Sequence, residues 1–163
     1  MKNMPLILAM LMLRKVNYRM ENDSREWNTT DWQFAALPAY SRLAMDKAAD
    51  LARNHVSGGS VRVYAIATDK RGNILGQSGN MYTKSSPKQK RWAILAKQPE
   101  REFLHAEIAT MLRAIKTGKE ISKLYVARVD ASSKIKDGKP CSVCSLMLAT
   151  EFPHVEIIWS REK

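Results

Sequence analysis

Cysteine and histidine are scarce in this sequence. Its 163 residues include only two cysteines, Cys141 and Cys144, and three histidines, His55, His105 and His154. Because both cysteines belong to one Cys-x-x-Cys pair, nothing in the sequence indicates disulfide bonds or an oxidising compartment. A metal site built from thiolates and imidazoles therefore has few possible members.

The sequence also lacks an apolar run that could cross a bilayer, which takes about 20 residues. Residues 4–13 are apolar and follow one lysine, as in a signal peptide, but Arg14-Lys15-Val16-Asn17 follow instead of a small-residue cleavage site. There is no repeat or low-complexity tract, and 45% of the residues are hydrophobic. We therefore expect a single cytoplasmic domain with a sizeable core and no membrane association.

One pattern carries chemistry. It consists of His105-Ala106-Glu107 and, after a strand-like stretch, of Pro140-Cys141-Ser142-Val143-Cys144. The pattern offers an imidazole and two thiolates to a zinc ion, and a carboxylate for acid/base work. Structural zinc is usually closed by four protein ligands, whereas catalytic zinc commonly has three and leaves a position open for water. A Cys-x-x-Cys pair alone is also compatible with a redox dithiol or with half of a zinc ribbon.

The first motif lies at the start of a predicted helix, residues 102–116. Its apolar residues recur at helical spacing: Ile108, Met111, Leu112 and Ile115. Residues two apart on a helix point about 200° away from each other, so His105 and Glu107 cannot both bind one ion from the side of the helix. In the first turn they can straddle an ion that lies off the helix end. This favours His105 as a ligand and Glu107 as a group that touches the bound water.

The second motif predicts a helix at residues 141–151 with Pro140 at its first helical position, where the missing N–H costs nothing. Cys141 and Cys144 then lie one turn apart on the same face. Unpaired backbone N–H groups and the positive end of the helix dipole favour their thiolates there. Two helix N-termini would thus converge on one metal ion.

Simpler interpretations of the histidines exist. A lone histidine on an apolar helix, such as His105, is more often a core residue with its hydrogen bonds satisfied. The zinc would instead be structural if His154 were a fourth ligand, but a helix of about ten residues puts His154 roughly 15 Å from the cysteines. We interpret His55, which has no motif around it, as a surface or capping histidine.

The combined pattern resembles the cytidine deaminase superfamily of zinc-dependent aminohydrolases, whose signature is H-x-E followed by P-C-x-x-C. The resemblance covers about residues 37–160. It implies zinc as the cofactor, held by His105, Cys141 and Cys144. It also implies that zinc hydroxide attacks C4 of a cytosine ring while Glu107 shuttles protons.

Two further positions match sites of substrate contact in the superfamily. Asn80 follows the second predicted strand, where members commonly have an asparagine that binds the sugar, although a turn asparagine is the competing interpretation. Ala106 matches the position whose backbone groups face the edge of the base. Both substrate-binding assignments depend on the resemblance.

The resemblance implies an α/β fold, a three-layer α/β/α domain with a mixed sheet in which a hairpin is followed by parallel strands. The predicted elements fit this order. A helix at residues 38–56 is followed by hairpin strands at 61–68 and 74–78 and by the first zinc helix, residues 102–116. A strand at 124–129, the second zinc helix at 141–151 and a strand at 155–159 complete the domain. Strands and helices alternate after the hairpin, which indicates parallel pairing with right-handed crossovers.

The domain boundaries and the last strand raise separate expectations. We assign residues 37–163 to the deaminase domain and residues 1–36 to an N-terminal extension. The fifth strand usual in the superfamily is not identifiable after residue 159, so the last strand leaves a free edge. Either residues 4–13 or a partner subunit would cover that edge, and a homo-oligomer is therefore expected. Alternatively, Met20 is the natural start.

The sequence has 27 lysines and arginines but only 16 acidic residues, which gives a formal net charge of +11 and a pI near 9.8. This favours a phosphate-bearing partner, although charged runs are often only solvated surface. The basic residues expected to rim the pocket are Lys84, Lys88, Lys90, Arg91, Lys134, Lys136 and Lys139. Tyr82 and Trp92 lie among the first four and either stack on bases or pack in the protein. We take Tyr82 and Lys84 as substrate-binding candidates.

The residues beside the motifs narrow the substrate class. Free-nucleoside cytidine deaminases typically have Arg-Gln after the second cysteine and Asn-x-Glu after the second strand, where this chain has Ser145-Leu146 and Asn80-Met81-Tyr82. The chain is more similar to the deoxycytidylate, tRNA and polynucleotide branches. The leading hypothesis is a deaminase of a cytosine-type base on a nucleotide such as cytidylate or deoxycytidylate. The alternatives are a deaminase of cytosine or adenine in single-stranded DNA or RNA, and a non-catalytic zinc-containing nucleic-acid-binding protein.

Overall fold

A mixed sheet with helices on both faces forms the domain in residues 39–162, the part of the chain that this computed structural model describes. The N-terminal extension predicted at residues 1–36, and the predicted role of residues 4–13 at the sheet edge, concern residues outside this part. No helix within residues 39–162 has the length and apolar composition to cross a bilayer. The elements in chain order are α1 (Ala39–Asn54), β1 (Arg62–Thr68), β2 (Ile74–Gly79), β3 (Met81–Ser85), α2 (Pro87–Leu95), β4 (Phe103–Leu104), α3 (Ala106–Ala114), a 3₁₀ turn (Ile115–Thr117), β5 (Lys123–Val129), β6 (Ile135–Lys136), α4 (Ser142–Glu151) and β7 (Glu156–Trp159).

The sheet confirms the predicted hairpin and the predicted parallel pairing. β1 lies between β2 and β5 and is antiparallel to both. The other edge of β5 pairs in parallel with β7, from Lys123 opposite Glu156 to Val126 opposite Trp159. Beyond β7 the same edge pairs with β6, a strand that the sequence did not predict. Within residues 39–162 no strand pairs with the outer edge of β7.

The two faces of the sheet carry different helices, which confirms the three-layer α/β/α class. Successive strand residues point to opposite faces, so Ile66 packs with α1 and Ala65 packs with α3 and α4. The helical spacing of the apolar residues predicts one buried stripe on α1, made of Tyr40, Leu43, Ala44, Ala48, Leu51 and Ala52. Leu43 is instead 68% exposed, and Ser41 is buried with its hydroxyl 2.8 Å from the Tyr125 hydroxyl.

The segment from residue 79 to residue 101, for which the sequence predicted no helix or strand, contains β3 and α2. Strand β3 pairs with β4 in a two-stranded ribbon separate from the main sheet. Helix α2 begins with Pro87 after the cap residue Ser86, whose Oγ accepts from the Gln89 N–H. Because β4 occupies Phe103–Leu104, the first zinc helix begins at Ala106 and not at residue 102.

Helix α3 approaches β2 closely at Gly76. A Cβ atom there would lie 2.7 Å from the Thr110 carbonyl oxygen and 2.8 Å from the Ala114 nitrogen. Only glycine fits beside backbone atoms at this distance. On the neighbouring strand, the Thr110 hydroxyl donates to the Ala65 carbonyl at 3.1 Å. These contacts hold the helix that begins next to His105 against the sheet.

Replacing Gly76 by alanine should therefore destabilise the domain, because the clash is with backbone atoms that cannot rotate away. Overpacking of this kind typically costs about 1–3 kcal/mol. Urea unfolding of the full-length Gly76→Ala protein measures the effect. Lys70→Ala in the exposed β1–β2 turn is the control and should leave the midpoint nearly unchanged. An unchanged midpoint for Gly76→Ala would contradict the described packing of α3.

Candidate metal centre and active site

Three side chains converge where α3 and α4 begin. The Nδ1 atom of His105 lies 3.3 Å from the Cys141 Sγ atom and 3.3 Å from the Cys144 Sγ atom. The three ligand atoms all lie within 4.8 Å of one another, and no other group of three or more His, Cys, Asp or Glu side chains in residues 39–162 is arranged to hold a metal ion. The sequence singled out the same three residues as ligands.

The separations fit a tetrahedral zinc site. Zinc–sulfur bonds of about 2.3 Å and zinc–nitrogen bonds of about 2.0 Å put tetrahedral ligand atoms roughly 3.5 Å apart. The two separations of 3.3 Å between His105 and the cysteine sulfurs are close to that value. Two thiolates and one imidazole are also the ligand types that zinc prefers. The donor set therefore suits zinc with one position left open.

Both helices present their N-termini to this site without a side-chain cap. His105 is the cap residue of α3, with φ −77° and ψ 149°, and Cys141 is the cap residue of α4, with φ −67° and ψ 169°. The prediction that Pro140 occupies the first helical position is wrong, because Cys141 is still extended and Ser142 is the first helical residue. The first helical hydrogen bond runs from the Ser145 N–H to the Cys141 carbonyl at 2.8 Å.

The environment of the two thiols separates their pKa values. A hydrogen bond from the Cys144 thiol, together with His105, lowers the pKa of Cys141 to about 3 despite its burial. Burial and the charges of Cys141 and Glu107 raise the pKa of Cys144. A bound cation would favour the thiolate at both positions. The surroundings thus favour the anionic form of the Cys141 sulfur.

Glu107 is a buried carboxyl in the first turn of α3 and is 5% exposed. Burial is the main cause that raises its pKa, and the charge of Cys141 raises it further. The charge of His105 lowers the pKa of Glu107 and partly opposes the shift. A carboxylate that is short of solvent next to a metal-binding site is a strong proton acceptor, which is the property that acid/base catalysis requires.

A cavity of about 430 Å³ opens onto these residues. Its floor includes His105, Glu107 and Cys141, and the wall opposite is formed by the start of β1 and the ends of β2 and β5. The remaining lining residues are Val61, Val63, Asn80, Met81, Tyr82, Glu100, Arg101, Phe103, Leu104, Ala106, Arg128, Gly138 and Lys139. The volume is in the range of small-ligand sites in proteins.

The structure places three of the four substrate-binding candidates in the cavity wall. Ala106 is buried beside the zinc ligands, and Tyr82 is 39% exposed at the mouth. Asn80 lines the cavity, but its amide also bonds within the protein: its Oδ1 accepts from the Val63 N–H at 2.8 Å and its Nδ2 donates to the Val61 carbonyl at 3.1 Å. Lys84 is exposed on β3 and does not line the cavity.

The basic residues at the cavity differ from the expected set. Of the seven residues expected at the rim, only Lys139 lines the cavity. Lys88, Lys90 and Lys136 instead form ion pairs elsewhere, the last with Glu162. Arg101 and Arg128 line the cavity, and the sequence analysis missed both. The sequence could have indicated Arg128 only through its position at the end of the strand predicted at residues 124–129. In the sheet, Arg128 lies opposite Val63, which also lines the cavity.

The remaining candidates have structural roles. Trp92 is 4% exposed and packs in the core, which favours packing over base stacking. The Nε2 atom of His55 lies 2.5 Å from the Asn80 carbonyl oxygen, which makes His55 a structural neighbour of the cavity wall. His154 is exposed after α4 and does not join the ligand group.

Comparisons with known proteins identify the family. Two solved structures with a similar fold are a glutamate-to-glutamine and a glutamate-to-aspartate mutant of cytidine deaminase from Mycobacterium tuberculosis. Each is 19% identical with a TM-score of 0.45, and the alignments cover 75% of this chain and 89% and 86% of those chains. No curated protein matches the sequence. The family model for the cytidine and deoxycytidylate deaminase zinc-binding region matches residues 39–158, which include all three ligand residues. The chain therefore belongs to the cytidine and deoxycytidylate deaminase family and is a zinc-binding member of it.

Proposed function

We propose that this protein is a zinc-dependent hydrolytic deaminase of a cytosine-type base carried on a nucleotide. The observation that carries the proposal is the position of buried Glu107 beside the three ligand atoms, at the floor of a cavity large enough for a pyrimidine nucleotide. Family membership supports a deaminase, and the residues at the cavity mouth support a nucleotide. The cytoplasmic location and the homo-oligomer expected from the sequence stay predictions.

The protein's own residues have distinct roles in this reaction. His105, Cys141 and Cys144 would hold zinc, which would lower the pKa of a bound water to about 7 and so supply a nucleophile at neutral pH. Glu107 would accept a proton from the attacking water, return it to the ring nitrogen and assist the departure of ammonia. The backbone at Ala106 lies in the cavity wall next to these residues, and we expect it to face the edge of the base.

The charge at the mouth supports a phosphate-bearing substrate. Arg101, Arg128 and Lys139 line the cavity, and Glu100 is the one acidic residue beside them apart from buried Glu107. Within residues 39–162 the guanidinium groups of Arg101 and Arg128 form no ion pair with a carboxylate. Arginine without an internal partner at the edge of a pocket suits a phosphate, which it can bind through two parallel hydrogen bonds.

A single-stranded nucleic acid is the second candidate substrate. The rings of Tyr82 and Phe103 meet edge to face, 6.3 Å apart, on the β3–β4 ribbon beside the cavity. They are 39% and 44% exposed, so their faces are accessible to a neighbouring base. Lys84 extends from the same strand and would contact the backbone of a polymer and not a mononucleotide in the cavity. The third candidate, a non-catalytic zinc-containing nucleic-acid-binding protein, has no use for a buried carboxyl at Glu107.

Glu107→Gln should abolish deamination while zinc stays bound, because the amide keeps the shape of the side chain but cannot accept the proton. The expected loss in kcat is about 10²- to 10⁴-fold, the usual contribution of a positioned acid/base group. Ammonia release from a panel of nucleosides, nucleotides and single-stranded oligonucleotides measures it. Glu102→Gln is the matched control, since Glu102 pairs with Lys90 at 3.4 Å outside the cavity. Full activity of Glu107→Gln would refute the proposed role, and nucleic-acid binding without turnover by wild type would favour the third candidate.

Cys144→Ser should reduce the zinc content of the purified protein well below the one ion per chain expected for wild type, because it removes a thiolate from a three-ligand set. The serine hydroxyl is a poor ligand at neutral pH. Elemental analysis after dialysis against a weak chelator provides the measurement. Ser142→Ala, an exposed change in the same helical turn, should keep its zinc. Equal zinc content in Cys144→Ser and wild type would contradict the ligand assignment.

Arg101→Gln and Arg128→Gln should each raise KM for a nucleotide by about 10- to 100-fold, the value of a charged hydrogen bond of 1.5–3 kcal/mol. KM for the corresponding nucleoside should hardly change, because the nucleoside lacks the phosphate. Lys116→Gln, an exposed basic residue away from the cavity, is the control. Equal effects on nucleotide and nucleoside would refute a phosphate contact. Activity confined to oligonucleotides, with a steep decrease as salt increases, would favour the second candidate substrate.

A further inference from the structure

Gln89 is a polar side chain on α2 that is fully buried and does not line the cavity. Both ends of its amide are bonded to the main chain of the segment before α3. The Nε2 atom donates to the Arg101 carbonyl at 2.8 Å, and the Oε1 atom accepts from the His105 N–H at 3.2 Å. One side chain thus joins the two ends of the segment from Arg101 to His105.

The local sequence makes this use of Gln89 unexpected. Ser86-Pro87-Lys88-Gln89 has the form of a capping box, in which the Gln side chain returns to the backbone N–H of the cap residue. The serine half is formed, since the Ser86 Oγ accepts from the Gln89 N–H at 3.0 Å. The glutamine half is not formed, because the amide bonds to Arg101 and His105. The side chain therefore serves the neighbouring segment and not its own helix.

The ring of His105 has little else to orient it. Its Nδ1 atom faces the two cysteine sulfurs, and its Nε2 atom has no hydrogen-bond partner within residues 39–162. In zinc proteins the second ring nitrogen is usually hydrogen-bonded, which fixes the ring and tunes the ligand. Here the direction of the imidazole depends on the position of its own main chain. The bond from the His105 N–H to Gln89 holds that main chain.

The rest of the segment has other contacts. At its start the Arg101 N–H donates to the Gln98 carbonyl at 3.0 Å, and Lys90 forms an ion pair with Glu102 at 3.4 Å. The Ser85 hydroxyl donates to the Glu102 carbonyl at 2.7 Å, and β4 pairs with β3 at Phe103 and Leu104. None of these contacts involves the carbonyl of Arg101 or the N–H of His105. Without the Gln89 amide, the Arg101 carbonyl and the His105 N–H would each lose a part-buried hydrogen bond. A polar group left unpaired where water has limited access costs more than the bond itself contributes.

We propose that Gln89 is a positioning residue that couples the zinc ligand His105 to Arg101 at the cavity mouth. Loss of its amide would loosen the histidine and displace the arginine together. The first effect concerns metal binding and needs no deaminase activity. The second depends on the proposed function, because it assumes that Arg101 contacts a substrate phosphate.

The test compares Gln89→Met with Lys88→Met in the full-length protein. Gln89→Met keeps the length and the burial of the side chain but removes both hydrogen bonds. Lys88→Met removes a different tie of the same helix, the ion pair from the Lys88 Nζ to the Glu151 Oε2 at 2.5 Å. It leaves residues 101–105 untouched and controls for weaker attachment of α2. Gln89→Asn, one methylene shorter, reaches at most one of the two partners and serves if Gln89→Met does not fold.

Zinc affinity by chelator competition and the visible spectrum of the cobalt-substituted protein are the decisive readouts, since a purely structural role changes neither. We expect Gln89→Met to weaken zinc binding by about tenfold or more, in the range seen when partners of metal ligands are removed. The cobalt bands should shift, and KM for the nucleotide should rise more than KM for the nucleoside. Lys88→Met should lower stability only.

Unchanged zinc affinity and cobalt spectrum in a folded Gln89 variant would overturn the proposal. So would equal losses of zinc affinity in Gln89→Met and Lys88→Met, since these would reflect general loosening of α2. If wild type binds zinc but deaminates nothing, the proposed function fails while the metal-binding part of this inference is still tested by the same titration.

Discussion

The candidate metal site depends on the approach of one imidazole nitrogen to within 3.3 Å of two sulfurs from a different helix. Each ligand lies at a cap or in the first turn of its helix, so the start of each helix sets the geometry of the site. The glycine at position 76 permits α3 to lie directly on β2, and the strands fix α4 through β5 and β7. Backbone contacts far from the cavity therefore determine the separations among the ligands.

Burial separates two electrostatic tasks in one cavity. At the floor of the cavity, burial away from water raises the pKa of Glu107. The three ligand side chains beside it are arranged to hold a cation. At the mouth, Arg101 and Arg128 are exposed and hold their charge at little cost in desolvation. Under the proposed function, a negatively charged substrate would be attracted at the entrance, while proton transfer would take place in a region of low dielectric. Neither region requires the other's environment.

The sequence predicted the parts of the molecule that local pattern determines. His105, Glu107 and the cysteine pair form a motif, and the alternating apolar residues of the hairpin and of the later strands define the sheet. Strands β4 and β6 have two residues each, too short for any periodicity, and they exist only because a partner strand is adjacent. Arg128 and Gln89 have roles set by distances across the fold. Ser86 to Gln89 even has the pattern of a helix cap, and only the tertiary structure shows where its amide is bonded.

The separate β3–β4 ribbon has a consequence for how such a protein changes over generations. The ribbon carries Tyr82 and Phe103 to the mouth of the cavity, but it shares no strand with the sheet that supports the metal ligands. Under the proposed function, substitutions of exposed side chains on the ribbon would alter which molecule is recognised without disturbing the sheet, whereas an insertion in β4 would displace His105, which directly follows it. A duplicated gene could diverge in specificity through this ribbon while its reaction stays the same. Selection for new substrates would then act on exposed side chains whose substitution has little effect on the stability of the sheet.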